Sequence, residues 1–598
     1  MAKALPDRNE VKTENTWDLS EIYTDKDAWE KDITCIKELS ERIAASEGKL
    51  ASSSASLLEV LRSLEEMYIR ISCVSNYAMC LSDEDTGNTA HQAMSAKAEN
   101  ITADAVAKIS FIDPELLAIP EETFEKFYAE CPELLKYKYY INEALRLKDH
   151  TLSSDKELLM ALSAESLSAS ANTFGLLNNA DMSFPSIKDE NGEEATLSNG
   201  RFVGFLLSPD REVRRNAFTT YYNEYNKLLN TYASLYNGHV KGLIFNARAR
   251  QYKSTLEAAV IPNDVTPSVY TNLIKAVNEN SDALHSYVSL RKELLGVDEL
   301  HMYDIYVPML KDFTKEVSFE EAKATALKAL APLGDDYVSV IKEGFENRWI
   351  DVYENKGKRG GAYETAAYGH HPFVLLNFDN KFDDMFTLVH EMGHAMHSYY
   401  SDKANPYFES QYKIFVAEVA STCNELLLLY YLLDNSDDPA EKRYLLNHYL
   451  DMFKGTLFRQ TQFAEFEMLT NEMAEKGESL NKDNLSNLYL DINKKYYGPD
   501  IVSDKEIAWE WARIPHFYYN FYVYQYATSF SASVAIVNMI RTEGAAAVER
   551  FRRFLASGCT KPPVELLKDV GVNLETSAPF VSAINAMRDA IDELKKLI

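Results

Sequence analysis

Residues 389–395 read Val389-His390-Glu391-Met392-Gly393-His394-Ala395 and hold the pattern His-Glu-x-x-His within a helix-periodic stretch. On an α-helix, residues four apart lie one turn apart on the same face, so both imidazoles can converge on one Zn²⁺. Glu391 is offset around the helix, where it can take a proton from a water molecule on the metal more easily than it can act as a third ligand. The stretch therefore predicts a catalytic zinc site with His390 and His394 as ligands and Glu391 as general base.

The residues around this pattern indicate whether it is a metal site or a chance match on a surface helix. The apolar residues between positions 385 and 399 fall on one stripe of the helix, and His390, His394 and His397 fall on the opposite stripe. A solvated helix would carry Lys and Glu on its polar face. The pattern therefore favours a helix that is buried on one side and binds a metal ion on the other.

A catalytic zinc needs a third protein ligand and one open position. His397 shares the polar stripe but lies about 10 Å from His390 along the helix axis, too far to bind the same ion. The next predicted helix, residues 415–433, carries Glu418 and Glu425 on one face of an otherwise apolar segment. Buried acidic side chains are usually paired or bound to metal. We predict Glu418 as the third ligand and Glu425 as the carboxylate that orients a ligand imidazole; the alternative is that one or both form ordinary salt bridges.

An aromatic segment, residues 509–533, offers groups that could stabilise the oxyanion of a hydrolytic reaction. Five phenols cannot all be catalytic, so most of these rings must be core packing. Tyr519 and Tyr526 are seven residues apart and could line one face, and His516 lies just upstream. The segment contains Arg513, His516, Tyr518, Tyr519, Tyr522, Tyr524 and Tyr526.

Length, composition and charge narrow the classes of function. The chain has 598 residues, 46% hydrophobic and 26% charged, which is the composition of a globular protein. Its formal net charge of −29 disfavours nucleic acid or an anionic membrane as a partner. The polar N-terminus resembles neither a signal peptide nor a membrane span, and six scattered cysteines indicate reduced thiols. We therefore expect a cytoplasmic protein.

Helical periodicity dominates the chain, with long runs such as 213–249 and 441–476. We expect residues 1–200 to form an N-terminal helical lobe and residues 201–598 to form the catalytic zinc-peptidase domain. Two short β-rich stretches, 363–367 and 371–377, directly precede the metal helix. They predict either an exposed strand that pairs with an extended peptide substrate or a small structural hairpin.

Three stretches together resemble oligoendopeptidase F, in the thimet oligopeptidase and neurolysin superfamily of zinc peptidases. They are HEMGHAMH (390–397), FVAEVASTCNE (415–425) and ARIPHFYYNFYVYQYATSFSAS (512–533). The resemblance implies a mainly α, two-lobed, clam-like helical zincin, with a deep channel that admits short unstructured peptides and a small β-sheet beside the metal helix. It also implies His390, His394 and Glu418 as zinc ligands, Glu391 as general base, and His516, Tyr519 and Tyr526 near the oxyanion.

The sequence therefore predicts a zinc metalloendopeptidase that binds one Zn²⁺ per chain and hydrolyses oligopeptides. One alternative keeps the chemistry and is a zinc carboxypeptidase or dipeptidyl carboxypeptidase, which would need a cation, such as Arg513, for the terminal carboxylate of its substrate. The other alternative is a zinc-stabilised binding protein without turnover. Glu391 argues against it, because a structural zinc site does not need that carboxylate.

Overall fold

Helices make up most of the chain in the computed structural model, which describes residues 5–310 and 313–598. The predicted mainly α fold class is confirmed. The helices are α1 (Lys26–Ala44), α2 (Ser54–Glu84), α3 (Thr89–Lys108), α4 (Ile112–Ala118), α5 (Glu121–Glu130), α6 (Lys138–Arg146), α7 (Ser154–Leu176), α8 (Asn199–Leu206), α9 (Arg211–Lys227), α10 (Leu229–Ala249), α11 (Thr255–Val260), α12 (Pro267–Glu279), α13 (Asp282–Leu295), α14 (Phe319–Ala329), α15 (Asp335–Glu346), α16 (Asp384–Ala404), α17 (Tyr407–Ser410), α18 (Ala417–Asn435), α19 (Pro439–Met452), α20 (Arg459–Glu475), α21 (Lys482–Tyr497), α22 (Tyr524–Glu543), α23 (Ala545–Leu555), α24 (Pro563–Val570) and α25 (Ala578–Lys596).

Some predicted helical runs are interrupted. The run 213–249 divides into α9 and α10 at Leu228, whose φ of −117° and ψ of 10° leave the helical range. The run 441–476 divides into α19 and α20, which are joined by a π-helical segment, Phe453–Phe458. Hydrophobic periodicity did not reveal these breaks, because a single irregular residue or turn shifts the apolar face too little to interrupt the pattern.

Seven short strands form three small sheets among the described residues. The strands are β1 (Ile187–Lys188), β2 (Glu194–Ala195), β3 (Leu300–His301), β4 (Ile350–Asp351), β5 (Tyr363–Thr365), β6 (Phe373–Leu375) and β7 (Ile501–Val502). The sheet nearest to the metal helix in sequence has the order β4-β6-β5. In it β6 is central, parallel to β4 and antiparallel to β5, with Glu364 opposite Val374. The predicted strands before the metal helix are therefore present, and β5 is an edge strand.

The chain forms two compact units, and each is assembled from three segments. Unit 1 contains Met1–Ser153, Thr314–Leu432 and Ile536–Gly571; unit 2 contains Ser154–Phe313, Leu433–Ala535 and Val572–Ile598. These divisions differ from the boundary expected near residue 200. The assignment of residues 1–200 and 201–598 to a lobe and a catalytic domain stays a prediction.

In unit 1, one face of the small sheet packs against the N-terminal helices. Phe373 and Leu375 of β6 are buried in the same core as Trp29 and other residues of α1 and α2. Trp17 meets Phe373 edge-on, with ring centroids 6.4 Å apart. The sheet is thus anchored on one side, and its other face is turned towards the helix that follows it.

The segment Ile414–Asn435 is long and apolar enough to cross a membrane by length and composition alone. Core helices of soluble proteins pass the same test, and 61% of the apolar window is buried inside the protein. Leu426, Leu428 and Leu429 are completely covered. The burial is typical of a core helix, and the absence of a membrane partner stays a prediction.

Candidate metal centre

The metal helix α16 is buried on its apolar stripe, as the sequence predicted. Met385, Leu388, Val389, Met392 and Met396 are at most 2% exposed. His390 and His394 on the opposite side are partly exposed. The helix is therefore held in the core by its apolar residues and presents its two imidazoles away from them.

Three side chains converge at this face and could hold a metal ion: His390, His394 and Glu418. The two imidazole Nε2 atoms are 3.2 Å apart. Oε2 of Glu418 lies 3.5 Å from Nε2 of His390 and 3.6 Å from Nε2 of His394. Two imidazole nitrogens and one carboxylate oxygen are a donor set that suits a catalytic zinc with a further open position. The residues present therefore fit the metal that the sequence implies.

Close contact between α16 and α18 brings Glu418 to the histidines. A Cβ atom at Gly393 would lie 2.5 Å from Cα of Ser421 and 2.8 Å from the carbonyl oxygen of Ala420, so only glycine allows this approach. Asn424 of α18 donates its side-chain amide to the carbonyl of Val389 at 3.1 Å. Helix contact and this buried hydrogen bond fix the two helices in register. Gly393 and Asn424 are thus two residues of the site that the motif spacing alone does not reveal.

Glu425 of α18 contacts the imidazole of His390, as predicted for a carboxylate that orients a ligand. Its Oε1 is 2.6 Å from Nδ1 of His390, so Nδ1–H donates to the carboxylate and Nε2 is directed to the metal position. Burial lowers the pKa of His390, but the hydrogen bond and the charges of nearby carboxylates raise it to about 9. Burial, together with the charge of His390, lowers the pKa of His394 to about 3. His394 is therefore a neutral imidazole, the form that binds a metal.

Glu391 is buried beside the ligands and only 6% exposed. Burial raises its pKa to about 7, although the positive charge of His390 acts in the opposite direction. A carboxylate whose pKa is near neutrality can accept a proton and release it again. The position and the pKa of Glu391 suit the predicted general base.

His397 does not join the group. Its ring stacks on Tyr412, with centroids 3.8 Å apart and planes 5° apart. It is 1% exposed, and burial lowers its pKa to about 3. His397 thus packs in the core, in keeping with its exclusion as a ligand.

In unit 2, the aromatic segment separates into buried and accessible rings. Tyr518 stacks on Phe174 at 4.3 Å, and Tyr524 packs against Tyr270 at 4.9 Å. Tyr519 is 55% exposed, and Tyr522 is partly exposed. Tyr524 is buried, and Tyr518 is partly exposed but stacked on Phe174. Three tyrosines therefore remain as candidates for chemistry: Tyr519, Tyr522 and Tyr526.

These rings gather around His516, forming the aromatic cluster His516, Tyr519, Tyr522 and Tyr526. The His516 ring is 5.3 Å from Tyr519 and 6.3 Å from Tyr526. Tyr522 lies 5.4 Å from Tyr526. Tyr519 and Tyr526 do not share a helix, because Tyr519 precedes α22 and a turn lies between them, yet both rings lie beside His516.

That turn has an unusual backbone. Asn520 and Phe521 both have positive φ, at 54° and 57°, which is rare for residues other than glycine. Glu467 of α20 accepts a hydrogen bond from the backbone N–H of Phe521 at 2.7 Å. A buried carboxyl group therefore holds the turn in place.

Arg513 is already engaged within unit 2. Its guanidinium donates to Oε1 of Glu510 at 2.6 Å and to the hydroxyl of Tyr222 at 3.1 Å. Arg459 shares the same carboxylate at 2.7 Å. These bonds pair the charge of Arg513 with Glu510 and hold its guanidinium in place, so Arg513 is a poor clamp for an exopeptidase.

Comparison with protein families gives two matches. Residues 205–586 match the model of peptidase family M3, and residues 115–184 match the oligopeptidase F model. Together the two models cover most of the chain, including every residue of the metal group.

Individual relatives match along the whole chain. Oligopeptidase PepF of Bacillus subtilis is 47% identical over 597 residues, covering 100% of this chain and 89% of the relative. Group B oligopeptidase PepB of Streptococcus agalactiae is 37% identical, covering 99% and 98%. The crystal structure of oligoendopeptidase-F from Enterococcus faecium superposes with a TM-score of 0.75 at 37% identity, covering 95% of this chain and 98% of that one. A Chlamydophila abortus crystal structure superposes with a TM-score of 0.92 at 33% identity, covering 99% and 100%.

Proposed function

The chain belongs to peptidase family M3 and is a metallopeptidase, and from this premise we propose that it is a zinc endopeptidase that hydrolyses short unstructured oligopeptides. The family is zinc-dependent. The observation that carries the proposal is the convergence of His390, His394 and Glu418 within 4.8 Å of one another. We propose one zinc ion per chain at this position, and a cytoplasmic location.

The zinc ion, when bound, supplies Lewis acidity that activates water and polarises the scissile carbonyl. Glu425 holds the Nδ1 proton of His390 and so keeps that imidazole turned towards the metal position. Glu391 removes a proton from the attacking water and delivers it to the departing amine. Its burial beside the ligands and its pKa near 7 support both transfers.

The aromatic cluster provides donors for the developing oxyanion. A tyrosine hydroxyl of Tyr519 or Tyr526 and the N–H of His516 are the groups that we propose for this role, as the resemblance to the family implies. Their accessibility supports the proposal, since a donor must reach substrate. The free edge of β5 is proposed to pair with the extended peptide, which would bind substrate mainly through its backbone.

The test combines metal analysis with cleavage of a quenched fluorescent peptide that is blocked at both ends. We expect one zinc per chain and internal cleavage, because an endopeptidase needs neither terminus of its substrate. Mass spectrometry of products from a mixed peptide pool would define the cleavage positions. Cleavage only of peptides with a free terminus would instead indicate an exopeptidase, and zinc without any turnover would indicate a binding protein.

The variant Glu391→Gln isolates the general base. It should retain zinc and lose turnover by a factor of about 10² to 10⁴, the usual contribution of a positioned base. Glu354→Gln, which changes an exposed carboxylate of the same unit, is the matched control. Full cleavage by the Glu391 variant would contradict the proposed role.

A further inference from the structure

A polar cavity of about 240 Å³ lies beside the metal helix in unit 1. Ser398 and Asp402 of α16 line one side, and Glu364 of β5 lines another. Pockets for whole drug-sized ligands occupy roughly 300–1,000 Å³. This cavity is therefore of a size for one side chain.

The cavity continues the face that carries the metal ligands. His394, Ser398 and Asp402 follow one another at four-residue spacing, so they lie along one side of α16. Ser398 and Asp402 are about 6 Å and 12 Å beyond His394 along the axis. An extended peptide covers that distance in about two to four residues.

Strand alternation turns Glu364 into this cavity. Its neighbours in β5 face the N-terminal helices: the hydroxyl of Tyr363 donates to Asp83 at 2.8 Å, and Thr365 bonds to Asn76. Successive strand residues point to opposite faces, so Glu364 faces α16. Its Oε1 is buried and has no hydrogen-bond partner among the described residues. A buried acceptor of this kind calls for a donor, which water or a ligand supplies.

The remaining lining groups also offer acceptors. The hydroxyl of Tyr368 donates its hydrogen to the carbonyl of Asn405 at 2.8 Å. The amide NH₂ of Gln411 donates to Ser410 at 2.9 Å. The amide oxygen of Gln411 and the lone pairs of the Tyr368 hydroxyl remain as acceptors, and neither Lys nor Arg is among the lining residues.

We propose that this cavity, defined by Glu364 and Asp402, is a subsite for a cationic side chain, Lys or Arg, of the peptide substrate. The inference rests on the proposed function. Lys and Arg carry only donors, which complement an acceptor-lined cavity with two carboxyl groups. Since the cavity lies along the metal helix, the cationic residue would be about two to four positions from the scissile bond.

The pKa values of the two carboxyl groups in the cavity agree with this assignment. Burial raises the pKa of Glu364 to about 8, and burial raises the pKa of Asp402 to about 6. Neither carboxyl group forms an ion pair within the described part of the chain. A bound cation would lower both pKa values by favouring the charged carboxylates.

The experiment uses quenched fluorescent peptides that are acetylated and amidated, in which one Lys is moved along the sequence. Norleucine replaces Lys in the matched peptides, because it retains the aliphatic chain and lacks the charge. We expect kcat/KM for one Lys position to exceed that of its norleucine partner about tenfold or more, which corresponds to about 1.4 kcal/mol. Free-amine versions of the peptides test whether the N-terminus is the cation instead.

Two variants and a control assign the preference to the cavity. Glu364→Gln and Asp402→Asn should each reduce the Lys-to-norleucine ratio about tenfold. Glu354→Gln removes the same charge from an exposed position and should leave the ratio unchanged. Thermal unfolding of each variant establishes that it is folded.

The outcomes separate this inference from the proposed function. Cleavage of norleucine peptides with a ratio near one at every Lys position would refute the subsite and leave the peptidase intact. Retention of the ratio in both variants, or a preference that requires a free amino terminus, would also refute it. Failure to cleave any peptide would overturn the proposed function and this inference with it.

Discussion

The metal group and the aromatic cluster differ in the kind of backbone that holds them. His390, His394 and Glu418 project from two long helices whose axes approach closely at Gly393. The aromatic cluster is carried by a short 3₁₀ helix, Pro515–Tyr518, by the turn that follows it, and by the first turn of α22. Regular backbone converts sequence spacing directly into geometry, whereas irregular backbone does not.

The largest expected effect removes the carboxylate ligand. Glu418→Gln keeps the size of the side chain and removes its charge, so we expect zinc to be lost on dialysis and kcat/KM to fall by about 10³ or more. Zinc content by elemental analysis and peptide cleavage would be measured on the same preparation. Glu354→Gln serves as the charge control. Normal zinc content in the Glu418 variant would remove this residue from the ligand set.

The next effect concerns the contact that brings the two helices together. Gly393→Ala places a methyl group against the backbone of Ser421, which cannot move as a side chain can. We expect unit 1 to lose about 3 kcal/mol of stability and the zinc affinity to fall with it. Gly204→Ala in α8 is the matched control, because a Cβ there meets nothing within 4 Å. Denaturant unfolding of both variants would show whether the close contact matters.

The metal group could be predicted from the sequence because helical spacing alone was sufficient. Residues i and i+4 of a helix share a face, so His390 and His394 had to converge, and Glu418 and Glu425 had to share a face of α18. This spacing did not predict why the two helices meet. Gly393 could have signalled that approach, since glycine inside a buried helix costs stability and usually has a packing reason.

The geometry of the aromatic segment could not be predicted from sequence spacing. Seven-residue spacing fixes a common face only within a helix, and Asn520 and Phe521 adopt positive φ and interrupt any helix between Tyr519 and Tyr526. Asn520 is a residue type that tolerates positive φ, but Phe521 is not, so the sequence carried only a weak signal for the turn. Tyr518 and Tyr524 could not be recognised as core residues, because their ring partners come from α7 and α12, distant in sequence.

Within the aromatic cluster, accessibility predicts which phenols affect catalysis. Tyr526→Phe or Tyr519→Phe should lower kcat about 10²-fold with little change in KM, if the hydroxyl stabilises the oxyanion. Tyr524→Phe alters a buried ring of the same segment and should leave kcat within a factor of a few. Steady-state kinetics on one peptide would compare them. A pure KM effect in both variants would make these tyrosines substrate contacts instead.

A smaller effect is expected at the carboxylate that orients His390. Glu425→Gln retains a hydrogen-bond acceptor for Nδ1–H at the same place but removes the negative charge. Mutation of such outer partners usually costs 10- to 100-fold in metal affinity, and we expect about 30-fold. Zinc titration against a competing chelator would measure it. An unchanged zinc affinity would mean that the contact between Glu425 and His390 contributes to helix packing and not to metal binding.

The smallest effect is a pH dependence of stability in the aromatic region. Burial raises the pKa of Glu467 from 4.5 to about 8, while the N–H of Phe521 acts in the opposite direction. The folded protein then holds a proton that the unfolded chain releases, so this group costs stability as pH rises from about 4.5 to about 8. Glu467→Gln keeps the acceptor for Phe521 and cannot ionise. Relative to wild type it should gain about 2 kcal/mol at pH 6, more at pH 8, and nothing below pH 4.5. Glu478→Gln, at an exposed position, controls for the lost charge. A pH-independent difference in unfolding free energy would show that the turn at Asn520 is held by its shape and not by a neutral carboxyl group.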